Sequence, residues 1–514
     1  MTRATFLPLL ALALAMSGCG ARDRDTAASA RAAARARTDE VIVALQADGL
    51  SLDPHAVTDA GSMRLIENLY STLLRYAEVY GDFEPDLAES WDVDADGLRY
   101  TFQLRTNAVF HGSGAAVTAE DAVYSIDRIR ELGVRADQFE PVTEVRAEDP
   151  HTLVIELAEP FAPLLSYLAH PMNAIVDRRA VEEQGLERAG GGSGPFRLEE
   201  WRRDRHLILS RHEDYHLADR PRVERVVFRP IPDDTARITA LRNGEIDIIL
   251  DVAARDVERL ERIPGVTVDS VPGTFWEYVG LNNAHPPFDD VRVRQAIAWA
   301  VDRDVLNRLV KFGRAKPLRG GPIPPNHWAR HDVEIYPARD LEQARALLEE
   351  AGLADGFEAG LLVGSDFSYQ VQAAEVVKQQ LLEIGIDVTI RALESGMFFQ
   401  RLGQREFQMS LVGWLGFVDP DEWTHNLFRT EAPWNQQAYS NPEVDAWLAE
   451  GRRKLEREER KPIYDRIQET VAREAPMVFL YINDRTAARL DTVHGFVAHP
   501  TLTTLSLRDV WLDR

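Results

Sequence analysis

The pentapeptide His212-Glu213-Asp214-Tyr215-His216 has the spacing of a zinc-hydrolase motif. On a helix, histidines four residues apart share one face and can hold a zinc ion while the glutamate activates the metal's water. That chemistry requires the helix. Here a strand-like Leu207-Ile208-Leu209 precedes the motif and Ala218-Asp219-Arg220-Pro221 follows it, so a strand running into a loop is expected, with no zinc site. A secreted zinc hydrolase acting through His212 and His216 stands as the alternative from a different functional class. The run Gly190-Gly191-Gly192-Ser193-Gly194 lacks the Lys-Ser/Thr pair of a phosphate-binding loop and reads as a tight passage of backbone. No G-x-S-x-G nucleophile motif occurs, and dispersed acidic residues make no catalytic pair on spacing alone. We therefore assign no catalytic residue, no metal site and no cofactor.

The only cysteine, Cys19, follows Met16-Ser17-Gly18 at the end of the apolar run Phe6 to Met16, with Arg3 before it. Eleven apolar residues are too few to span a bilayer and suit a secretory signal. The arrangement resembles a bacterial lipobox, in which residues 1–19 form the signal peptide and Cys19 carries the lipid. The alternative is a free thiol in an ordinary signal peptide. Residues 20–38 contain no large apolar side chain, so a solvated tether is expected there, with a helix as the alternative.

The elements that must position the remaining chemistry follow a mixed pattern. Val41 to Leu45, Leu98 to Leu104, Leu153 to Leu157 and Leu207 to Leu209 read as strands, and about Gly61 to Leu74 as a helix. Thr118 to Asp121 forms a capping box before another helix. Asp340 opens a helix with an apolar face at Leu341, Ala344, Leu347, Leu348 and Ala351, and Gly352 stops it. A helix over 372–384, strands at Ile386–Ile390 and Phe407–Trp414, and a helix begun by Asn441-Pro442 continue the alternation, which is that of βαβ units. Residues 414–421 then lie past the carboxyl end of a strand, where open α/β sheets bind ligands.

With 59 basic and 83 acidic residues the chain carries −24, and because residues 1–38 carry +4 the body carries −28. Such a surface excludes nucleic acid as a partner. A body of this length needs no disulfide to hold a core.

Several motifs in order carry a resemblance to a known family. They are Leu52-Asp53-Pro54 and Asn68-Leu69-Tyr70; Pro85 to Trp91; Asp96 to Arg105; Val109 to Gly112 and Thr118 to Tyr124; Ser193 to Leu198; Gly244 to Asp247; Asp290 to Ile297 and Ala300 to Arg303; Gly413-Trp414, Asp419-Pro420-Asp421 and Tyr439 to Asp445. Together, over about residues 41–485, they resemble the peptide- and nickel-type family 5 extracellular solute-binding proteins of ABC importers. The resemblance implies an α/β, two-lobe periplasmic-binding-protein architecture (type II, Venus-flytrap) with an extra subdomain in lobe one. It places lobe one at 39–270, with the subdomain at about 56–184, and lobe two at 271–482. Residues 483–514 return to lobe one, and crossings fall near Gly273–Trp276 and Phe479–Ile482. It also implies a non-enzymatic, monomeric, extracytoplasmic protein that passes a small peptide or peptide-like solute to separate permease and ATPase subunits. A chelated nickel or other metal complex, or a glycan fragment, is the alternative cargo.

By the same resemblance the ligand cavity takes Trp414, Gly416, Phe417, Asp419, Asp421, Asp366, Phe367, Trp276 and Met63. Trp414, ending its strand, is expected to wall the cavity, with a core position as the alternative. Peptide-binding members often place an aspartate shortly after this tryptophan to pair with the ligand's α-amino group. Here Phe417 stands in that place, the segment matches the nickel-type spacing, and no arginine lies near Gly364-Ser365-Asp366 to grip a carboxylate. These departures argue against ordinary zwitterionic dipeptide recognition and for an apolar or blocked ligand end at Phe417. Asp366, Asp419 and Asp421 are candidates for holding an amine, and Asp419 and Asp421 read equally well as shaping the turn before Trp423.

Overall fold

In the computed structural model, residues 39–514 are described except 78–79, 133 and 188–190. Cys19, the signal segment, the tether and Gly190 lie outside the described residues. The apolar run after Glu40 forms the strand Glu40–Leu45, parallel to Arg225–Pro230 on one side and Ile248–Ile249 on the other. Both its faces are covered, which is why it is continuously apolar rather than alternating. The antiparallel pair Phe196–Arg202 and His206–Arg211 extends this end of the sheet.

At the opposite end, Phe357–Gly364 runs parallel to Ile386–Leu393 and to Met409–Leu415, with the helix Ser368–Leu382 as the crossover. Met409–Leu415 pairs antiparallel with Val266–Leu281 on its other edge, so the sheet here is mixed. The expected capping by Asp340 is present: its carboxylate accepts from the Gln343 N–H at 2.9 Å, and Gly352 takes the left-handed φ of 76° after the helix Leu341–Glu350.

Two long strands, Val266–Leu281 and Met477–Leu490, join the two ends of the sheet and pair antiparallel along most of their length. Their register shifts between Pro272 and Trp276. A Cβ at Gly273 would lie 2.5 Å from the Asn483 carbonyl oxygen, so the backbones touch there. The molecule is a two-lobe α/β structure threaded on this ribbon.

A separate antiparallel sheet, in the order Ala88–Val93, Arg99–Leu104, Thr152–Leu157, Val142–Asp149, packs against the helix Ala119–Leu132 around its own core, from Leu73 to Ile175. Two local expectations need correction. The helix expected to reach Leu74 is Ala60–Leu69, and Leu74–Tyr76 is a strand. Met63, Leu65, Ile66 and Leu69 pack in the first lobe's core, whereas Leu73 and Leu74 pack in the separate sheet's core, so one apolar periodicity ran across two cores. At the capping box Asp121 accepts from the Thr118 N–H at 2.9 Å, but the Thr118 hydroxyl donates to the same carboxylate instead of capping an amide.

Candidate functional site

The strand Met409–Leu415 leads through a short loop into the helix Asp421–Phe428, and this turn faces Tyr76, Ser166, Tyr167 and His170. Gly416 has a packing reason to be glycine: a Cβ there would lie 2.3 Å from the ring of the fully buried Trp423. Trp414 is half-buried, and its indole N–H donates to the Glu422 carbonyl oxygen at 2.8 Å. Its ring lies 5.6 Å from Trp434 and rests on the second lobe's core. Phe417 crosses the gap. It stacks on Tyr76 at 5.8 Å and 16° and meets His170 edge-on at 4.6 Å.

The acidic residues of this turn have distinct roles. Asp419 is buried and takes two hydrogen bonds of 2.7 Å from Arg460, while its Oδ1 accepts from the Asp421 N–H at 2.9 Å. Burial alone would raise its pKa, but the Arg460 guanidinium overrides this and holds the carboxyl below the usual range. Asp421 is fully buried, accepts from the Tyr167 hydroxyl at 3.0 Å and lies 3.3 Å from Arg452 Nε. Of the two readings of Asp419 and Asp421, the geometry matches the turn-shaping one, since partners within the protein occupy both.

Glu422 was not singled out from sequence, because it looks like one more acid in the run Asp419-Pro420-Asp421-Glu422. It is 6% exposed. Its Oε1 accepts from the Ser166 hydroxyl at 2.6 Å, its Oε2 accepts from the Phe417 N–H, and it forms no ion pair among the described residues. Burial pushes its pKa up to about 8.

Four other expected site residues fall elsewhere. Met63 is 2% exposed within the first lobe's core, because the helix Ala60–Leu69 turns that face inward. Trp276 is fully buried, 4.9 Å from Tyr278 and 5.2 Å from Phe479, because the ribbon it sits on runs beneath the wall. The exposed Asp366 accepts from Ser395 N at 2.9 Å and Oγ at 2.6 Å, which commits it to the start of the helix Ser395–Gly403. Those hydrogen bonds hold its pKa below the ordinary range. Phe367 packs near Tyr369 and Phe399, at 6.0 and 6.4 Å.

The histidine motif lies in a loop after His206–Arg211, not on a helix. His212 Nδ1 is 3.1 Å from the Gly194 carbonyl oxygen and His216 Nε2 is 3.0 Å from Asp86 Oδ1, so each ring serves a different partner. Gly194 O also meets His111 Nε2 at 2.9 Å. The two motifs therefore brace one another.

Beside Tyr76 lies a cavity of about 680 Å³, reaching Glu67, His499 and Arg508. Tyr76 lines this cavity and also stacks on Phe417, which does not. The size lies within the ~300–1,000 Å³ typical of small-molecule sites. Sequence reading missed it because residues far apart in the chain build it.

Residues 82–436 match the family model described as bacterial extracellular solute-binding proteins, family 5 Middle. The chain is 28% identical over 492 residues to a glutathione-binding protein GsiB of Pectobacterium atrosepticum, covering 91% of this chain and 93% of that one. Among solved structures it resembles the periplasmic binding protein DppA of Helicobacter pylori in complex with the peptide STSA. There the TM-score is 0.83 at 28% identity, covering 93% of this chain and 99% of that one. It also resembles AgaA of A. tumefaciens R10 in complex with agropinic acid, at TM-score 0.82 and 26% identity, covering 92% of this chain and 99% of that one.

Proposed function

The chain belongs to the family 5 bacterial extracellular solute-binding proteins, and on that premise we propose that it captures a peptide or peptide-like solute between its lobes. Its role is that of the binding subunit of an ABC importer, working outside the cytoplasm, and not that of an enzyme. We place lobe one at 39–270 with its return at 483–514, the subdomain at about 56–184, and lobe two at 271–482. Closure of the lobes buries the solute, and the affinity difference between open and closed forms signals the permease.

The observation that carries this reading is the meeting of Phe417 with Tyr76 and His170 across the lobes. A glutathione-binding relative and peptide-bound DppA support a peptide-like cargo. The solute's apolar or blocked end is assigned to the Trp414–Phe417 wall. Anchoring through Cys19 and action as a monomer complete the proposal. Mass spectrometry of solute retained after gentle purification tests it: a peptide or peptide derivative is expected, whereas a bare sugar or a metal chelate without peptide sinks it. Cys19→Ser is expected to leave the protein unanchored or unprocessed, and normal membrane fractionation of that variant removes the lipid.

A further inference from the structure

Three carboxyl groups sit together in the turn between strand and helix, and two have internal counter-ions. Asp419 is bonded by Arg460 and Asp421 lies against Arg452. Glu422 has none among the described residues. The groups facing it from the first lobe are the Ser166 hydroxyl and the phenols Tyr76, Tyr80 and Tyr167. Its own wall presents the Phe417 N–H and the carboxylates Asp419 and Asp421. The two nearby arginines, Arg460 and Arg452, are engaged by Asp419 and Asp421, and neither forms an ion pair with Glu422.

Resting on the solute-capture reading above, we propose that Glu422 anchors a cationic group of the captured solute, with the solute's apolar body against Phe417 and Tyr76. A buried carboxylate without a counter-ion is strongly disfavoured and persists by taking up a proton or meeting a cation. In the closed form without solute the proton serves, consistent with a pKa raised to about 8. Ser166 holds one carboxylate oxygen from the opposite lobe, so parting the lobes frees that oxygen for a ligand ammonium or guanidinium. An uncharged wall at Phe417 and an uncompensated acid five residues on select an amphipathic cation, which a dipeptide-like fit at Phe417 alone does not.

The probes are N-acetyl-Ala-Phe-Lys, whose only cation is the lysine side chain, and the same peptide acetylated also on the lysine ε-amine. Both are titrated calorimetrically into wild type, Glu422→Gln and Glu422→Asp at pH 7, in buffers of differing ionisation enthalpy. Wild type is expected to bind the free-lysine peptide at least about tenfold more tightly than the acetylated one and to release a proton on doing so. Glu422→Gln is expected to erase both the preference and the proton release, and Glu422→Asp to restore part of each. Equal binding of the two peptides to wild type, or a preference that survives in Glu422→Gln, overturns the assignment to Glu422 while leaving peptide capture standing. A retained native solute without a cationic group does the same. If neither peptide binds and purified wild type retains no solute, the capture of peptides fails, and the anchor with it.

Discussion

Trp414 does two jobs at once. Its ring is only half-buried and is proposed to wall the solute site, yet its N–H is tied to the Glu422 carbonyl and its body rests on the second lobe's core. Trp414→Ala is therefore expected to weaken solute binding by on the order of 1–3 kcal/mol. It should also lower the stability of the unliganded protein, whereas Trp414→Phe keeps most of the ring and loses about 1 kcal/mol through the missing hydrogen bond. Calorimetry with the retained solute, alongside urea unfolding, separates the two effects; unchanged affinity would make Trp414 a core residue only. Asp419 makes a sharper case. Asp419→Ala strands the Arg460 guanidinium in the interior, and urea unfolding should show a loss of about 3–5 kcal/mol. A loss below about 1 kcal/mol would mean that Arg460 finds another partner.

At the scale of elements, the glycine-rich run shows why a motif is read through its neighbours. Gly194 N–H donates to the Leu69 carbonyl at 3.0 Å, and the Gly192 carbonyl accepts from the His111 N–H at 2.7 Å. A Cβ at Gly192 would sit 2.1 Å from the Leu69 carbonyl oxygen, a backbone atom that terminates a buried helix. Gly192→Ala is expected to cost more than about 3 kcal/mol or to prevent folding, as overpacking against fixed backbone does. Thermal melting checks this; a wild-type melting temperature would mean that the passage has room. The His212–His216 motif leans on this passage, so its chemistry went to bracing. Helix starts such as Asp340 and Asn441 were legible because a cap is a local bond, whereas the stop at Leu69 was not, because distant cores decided it.

For the whole molecule, Glu422 is expected to couple closure to pH. Burial against the facing lobe pushes its pKa up to about 8, and exposure between parted lobes would return it toward the ordinary 4.5. Closing therefore takes up a proton between those values. This favours the closed form fully below about pH 4.5, and the advantage fades as pH rises through about 8. The facing Asp419 and Asp421 keep their arginine partners throughout that window and add to the repulsion once Glu422 ionises. Small-angle scattering of unliganded protein should show a larger radius of gyration at pH 9 than at pH 6, and Glu422→Gln should flatten the difference. A wild-type radius that does not change with pH would show that Glu422 does not control closure.

The two-lobe α/β class, the family, and most strands and helix caps were legible in the sequence. Those properties rest on local periodicity, capping chemistry and ordered motifs, all short-range in the chain. Which polar groups are spent depends on the folded chain. Asp419 and Asp421 read equally well as holders of an amine and as turn-shaping residues until Arg460 and Arg452, from two later helices, arrived beside them. Trp276 and Met63 read as cavity residues until their elements turned inward. Glu422 stood out only once the folded chain brought cations to its neighbours and none to it. Charge compensation is a property of three-dimensional proximity, and residues tens to hundreds of positions apart supply it.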